Sequence, residues 1–226
     1  MNTHESLFLL AAIWTGCDRA LAVSEAPPPA TPAPASAAPE PPRRTFYDPG
    51  EAKVVVDFWR EAGPSMWFAK DPAFDQRFRE KFATLYEAAA RGELAHWLKA
   101  PESALGLILL LDQYPRNSFR GTPRMYATDP LARRMAEAAI AAGHDRAVEA
   151  PLRLFVYLPY GHSESLADQE RSVELSRSLG QPSLEHAEHH RDIIRRFGRF
   201  PHRNAILGRT PRPEEERYLA EGGFKG

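Results

Sequence analysis

The chain has 226 residues, 43% hydrophobic and 26% charged, with a formal net charge of −1 and a single cysteine. That near-neutral balance excludes a generic polyanion-coating protein, and one cysteine excludes both a disulfide framework and a Cys-based zinc site. From residue 43 onward 28 Lys/Arg face 26 Asp/Glu, interleaved rather than segregated, so no nucleic-acid footprint emerges. No apolar run reaches the ~18 residues of a membrane span.

Proline divides the chain. Of 21 prolines, eight fall within residues 26–42, where 14 of 17 residues are Pro or Ala. Such a stretch cannot bury apolar area to offset its ordering entropy and reads as a semi-rigid, polyproline-like tether. The expected organisation is an N-terminal extension over 1–25, a Pro/Ala-rich linker over 26–45 and one all-helical domain over 46–226. The extension holds the apolar run LFLLAAIW (7–14) followed by Thr15-Gly16-Cys17. This layout resembles an export signal ending at a lipid-modified cysteine. But Met1 to Ser6 carries Glu5 and no Lys or Arg, against the positive start such signals need. A cytoplasmic protein is the expectation, and an exported lipoprotein anchored through Cys17 the alternative.

Helix signals recur along the rest. Pro49–Ala62 places Val55, Phe58 and Trp59 among polar residues. Asp71-Pro72 sets a capping residue before a proline at the first helical position. Behind it Phe74, Phe78, Phe82, Leu85, Tyr86 and Ala89 follow at three- and four-residue spacing, and Gly92 ends the helix. Asp129-Pro130 repeats the start, with Leu131, Met135, Ala138, Ala139 and Ala142 on one stripe up to Gly143. Further helices are expected over 164–179, Ser183–Phe197 and 213–219. No segment alternates as a half-buried strand does, and no Asn-Gly or Asp-Gly hairpin occurs. The expected fold is all-α, with antiparallel helix pairs stacked side by side and no readable repeat.

Three polar boxes carry the chemistry. The first closes the most apolar helix: Leu105 and Leu107 to Leu111 run into Asp112-Gln113-Tyr114-Pro115-Arg116-Asn117, with Arg120 beyond. Pro115 is expected to end the helix and turn the chain. Charges brought to a core boundary must pair or face a wet cavity. The second box is Tyr157 to Glu164 with Asp168-Gln169 one turn on. Pro159 and Gly161 signal a turn, and Ser163 suits the cap of a helix starting at Glu164. His162 beside Glu164 is the expected proton-transfer pair, since imidazole titrates near neutrality and a carboxylate can orient it. The third runs from His190 to Asn204: His190 shares a helix face with Ile194 and Phe197, Gly198 stops the helix, and Arg199, His202, Arg203 and Asn204 crowd the turn after it.

His186 and His190, spaced i, i+4 with His189 adjacent, would suit a metal. However, no HExxH occurs, a third ligand is missing and arginines crowd the segment, so neither metal nor cofactor is expected. Pooled at one site, the boxes would suit a small anionic ligand, phosphate or carboxylate. Arg116, Asn117, Arg120, Gln169, His190, Arg199, His202, Arg203 and Asn204 would bind it, and His162 with Glu164 or Asp112 would move the proton. No activated serine or cysteine nucleophile is evident, so direct attack by water or substrate is expected. The alternatives are a non-catalytic helical groove for a peptide or protein partner, and a buried polar network that only sets the packing.

The motifs LDQYPRNSFRGT (111–122), Tyr-x-Pro-x-x-His-Ser-Glu ending in Asp168-Gln169, and HRDIIRRFGRFPHRNAILGR (190–209) together resemble the bacterial family named domain of unknown function 924. The segment from Val55 to Trp59, with Trp67-Phe68, also fits its N-terminal region. The resemblance spans about residues 50–220 and implies a tetratricopeptide-like all-helical fold. It implies no established reaction.

Overall fold

A computed structural model describes residues 49–226, which belong to one compact unit. The expectations for the extension, the linker and Cys17 fall outside the described residues. Among those described, every regular element is a helix and there is no strand. Ten α-helices run α1 (Pro49–Ala62), α2 (Pro64–Trp67), α3 (Pro72–Ala90), α4 (Pro101–Ser118), α5 (Asp129–Ala141), α6 (His144–Ala147), α7 (Ala150–Gly161), α8 (Leu166–Ser176), α9 (Ser183–Phe197) and α10 (Pro213–Ala220). Single 3-10 turns cover Ala95–Lys99, Pro123–Tyr126 and Pro201–Arg203. None of the described helices is long and apolar enough to cross a membrane.

The expected starts and stops hold for α3 and α9. Asp71 accepts from the Phe74 amide at 2.7 Å, which satisfies one of the amides that a helix start leaves unpaired. Gly198 closes α9 at φ +70°, a left-handed conformation that glycine reaches without a Cβ clash, and its amide bonds Ile194 at 2.7 Å.

Helix α4 is the hub. Its residues from Ala104 to Pro115 are all buried, as expected for a helix apolar nearly all round, and it packs against α1, α3, α5 and α7. At Gly106 a Cβ would lie 3.1 Å from the Ala52 carbonyl oxygen, so glycine permits the close approach of α1. Around the hub an aromatic cluster fills the core. Phe78 lies 5.4 Å from Trp59, 5.3 Å from Tyr114 and 5.2 Å from Phe58, centroid to centroid. Each such ring removes on the order of 150–250 Å² from water. A second, smaller cluster joins Ile193, Ile194, Phe197 and Phe200, with Tyr218 and Phe224 packed on it.

Two expected turns prove to be helix. Pro115 and Pro159 lie inside the last turns of α4 and α7, which run on to Ser118 and Gly161. Proline cannot donate to the carbonyl four residues back, but the Thr128 hydroxyl donates instead to the Leu111 carbonyl at 2.6 Å. The freed acceptor is thereby satisfied and α4 continues past its proline. The expected helix over 164–179 is shorter, because Ser165 rather than Ser163 caps it. Ser163 instead donates to Asp168 Oδ2 at 2.7 Å.

Candidate functional site

Because α4 continues, Asp112 and Arg116 stand one turn apart on its final, buried stretch. Asp112 is 1% exposed. Its Oδ2 accepts from Gln113 at 2.7 Å, and its Oδ1 lies 2.7 Å from His162 Nδ1 and 3.4 Å from Arg116 Nη1. Burial pushes this carboxyl upward, but the Arg116 guanidinium and His162 outweigh it and hold the pKa at about 2. The group is therefore a carboxylate, which only accepts, so the shared proton sits on His162 Nδ1 and Nε2 keeps its lone pair. Burial and then Arg116 lower the His162 pKa against the pull of Asp112, so the imidazole is neutral at neutral pH.

The expected His162–Glu164 pair does not form. Glu164 takes a two-pronged bond from Arg209, at 2.7 and 3.1 Å, and a bond from the Phe200 amide at 2.8 Å. Burial raises its pKa, and Arg209 with that amide reverses the sign. The reason is geometric: α7 ends at Gly161 and α8 begins at Leu166, so the short connection turns His162 toward α4 and Glu164 toward the C-terminal turn.

His162 forms part of the wall of a cleft of about 600 Å³. Across from the dyad, Asp129 at the start of α5 accepts both prongs of Arg116, at 2.8 and 3.0 Å, and lies 3.4 Å from Arg203 Nη1. Arg203 also donates to the His162 carbonyl at 3.0 Å. Its guanidinium lies 4.5 Å from the Tyr126 ring and 4.6 Å from that of Phe200. Burial lowers the pKa of Arg203, and Asp129 opposes that shift. Arg116, Asp129, Arg203 and His162 are thus joined through direct contacts, and the first two boxes meet one residue of the third. The cleft is completed by Arg133, Arg134, Asp168 and the apolar Pro123, Ala127, Pro130 and Leu207.

The other expected binding residues have partners elsewhere. Asn117 and Arg120 both hold Asp75 of α3, at 2.7 and 2.6 Å. Gln169, 0% exposed, donates to the Gly161 and Ser163 carbonyls at 2.8 and 2.6 Å and so braces the turn that carries His162. Arg199 and Asn204 bond Glu215 of α10, at 2.7 and 3.0 Å. His190 and His202 pack on Phe224, with centroids 4.8 and 5.0 Å away. Among the described residues no three His, Cys, Asp or Glu side chains are grouped to hold a metal ion.

A family model described as a bacterial protein of unknown function (DUF924) matches residues 55–223. The chain belongs to this family. A solved structure of a protein of unknown function from Agrobacterium tumefaciens is 57% identical to it, with a TM-score of 0.75 over 76% of this chain and 98% of that one. No curated protein matches the chain significantly.

Within this DUF924 fold, the sequence motifs do not single out Tyr126, Arg133, Arg134 or Arg209 as site residues, and they mark Asp129 only as a helix start. A signal did exist. Asp129 and Arg133 are spaced i, i+4 and Arg134 is i+5, so the start of α5 presents charge on one side while Leu131 and Met135 pack on the core. Nothing in the sequence said that this side met His162.

Proposed function

We propose that the cleft binds a small anionic ligand, through a phosphate or carboxylate, and that His162 serves as its general base and acid in a hydrolysis or group transfer. The observation carrying this reading is the Asp112–His162 contact at the wall of an open cleft. A buried carboxylate that fixes the tautomer of a neutral imidazole is the arrangement proton transfer needs. Nε2 takes a proton from water as its oxygen attacks the acyl carbon or phosphorus. The imidazolium then returns that proton to the leaving group, so no covalent enzyme intermediate is required. Asp112 stabilises the imidazolium while it exists. Arg203 and Gln169 act as positioning residues, holding the His162 carbonyl and the turn beside it.

The test is turnover of small p-nitrophenyl carboxylate and phosphate esters by the full chain. His162→Gln is expected to slow turnover by about 10²–10⁴-fold with little change in melting temperature. Ligand binding by the wild type without turnover of any ester would move the assignment to a non-catalytic module for a peptide or protein partner. Turnover that survives His162→Gln would remove the base.

A further inference from the structure

Deepening that reading, we propose that the cleft selects a monoanion, a small organic carboxylate with a short apolar body, and that Arg134 is its anchor. Three carboxylates line the cleft, and each is already held by the chain's own guanidiniums. Asp129 faces Arg116 and Arg203, Glu164 faces Arg209, and Asp168 lies 3.4 Å from Arg133, which also reaches Glu137 at 3.1 Å, and accepts from Ser163. Asp112 offsets the second arginine at Asp129. Arg134 also lines the cleft, on the second turn of α5, and no hydrogen bond or ion pair joins it to another described residue.

The arginines expected from the motifs to receive the anion are therefore engaged internally, and the Arg134 guanidinium is the one at the cleft without a partner among the described residues. One carboxylate satisfies it, since the planar fork of arginine matches a carboxylate edge. A phosphate monoester dianion would add a second charge with no partner, next to Asp129, Glu164 and Asp168, where like charges repel. No lysine lines the cleft to absorb it. Pro123, Ala127, Pro130 and Leu207 supply an apolar wall for the ligand's body, and the Tyr126 hydroxyl, kept protonated by burial, supplies a neutral donor.

Butyrate and butyl phosphate share one apolar body and differ in charge, so they are the probes. Each is titrated into the full chain at neutral pH and matched ionic strength, by calorimetry and by thermal shift. Butyrate is expected to bind about tenfold or more tighter than butyl phosphate, and Arg134→Gln to weaken butyrate by about tenfold, as loss of one charge-assisted contact does. Arg134→Gln removes an exposed side chain, so its melting temperature without ligand should match the wild type. Equal or tighter binding of butyl phosphate, butyrate binding unmoved by Arg134→Gln, or no binding of either probe would each overturn the proposal. The base is judged separately. His162→Gln should leave butyrate binding intact, so an Arg134 result and a turnover result fail independently of one another.

Discussion

The region around α4 and the region from Ser183 to Phe224 close their interiors by different means. Around α4 the interior is apolar: Trp59, Val55, Phe78 and Leu109 are fully buried and touch ring or aliphatic atoms. The C-terminal region has only four buried apolar residues in its own cluster, and at its centre lies Glu215, 0% exposed. Glu215 accepts from Arg199, Asn204, the Arg212 amide and the Arg212 guanidinium, within 2.7–3.0 Å. The first region gains from every area of surface it hides, whereas the second holds only while its partners keep their charges. The cleft lies where the two meet. Asp112 comes from the apolar hub, Arg203 from the charged region, and His162 touches both.

The sharpest break in that comparison is to empty the hub. Phe78→Ala should cost about 3–5 kcal/mol, through lost transfer energy and the cavity left behind. Urea unfolding should then show an earlier midpoint for the whole described unit at unchanged cooperativity. A loss below about 1 kcal/mol, with the transition split in two, would mean that the hub does not organise the rest.

Acid should act on the other region. Burial, then the neighbouring histidines, push His190 down to about 3, and burial, then Arg203, push His202 down to about 4. Both lie below the ordinary imidazole value, so as pH falls below about 6.5 the unfolded chain takes up protons that the folded chain refuses. Stability is full above that pH and declines as the pH falls through about 4 for His202 and toward about 3 for His190, by a total on the order of a few kcal/mol. Glu215, held well below the usual carboxylate range chiefly by Arg199, adds its loss only at still lower pH. Hydrogen exchange at two pH values reads this directly. Amides of α9 and α10 should lose protection on acidification before those of α4 do. Uniform loss would erase the distinction between the regions.

How much of this could be seen beforehand differs between the regions for the same reason. The hub follows from local pattern: Phe74, Phe78 and Phe82 at four-residue spacing and a capping Asp71 specify a helix and its inward face. The dyad does not, because Asp112 and His162 are 50 residues apart and only the packing of α7 against α4 joins them. Adjacency favoured Glu164, which the short connection turns the other way. Pro115 misled for a further reason. Its cost is removed by Thr128, 13 residues later, which no local rule anticipates. Charge partners are long-range facts, so motif composition placed chemistry in the right turns but could not say which arginines were already taken.

The smallest effect tests the join itself. Asp112→Ala should cost about 3 kcal/mol, since it leaves Arg116 with Asp129 as its one carboxylate partner and an imidazole with no acceptor in a buried site. The wild-type carboxylate, at about 2 against an ordinary 3.8, contributes fully above pH 3.8 and is lost only as the pH falls through about 2. His162→Ala removes the other partner, yet Asp112 keeps Gln113 at 2.7 Å and Arg116 at 3.4 Å, and the void opens onto the cleft, where water can enter. Its cost should stay below about 1 kcal/mol. Paired thermal melts of the two variants make the comparison. The asymmetry identifies Asp112 as the group that ties the hub to the site, and His162 as the side chain held there at little benefit to the fold. Equal losses would instead make the pair a packing lock.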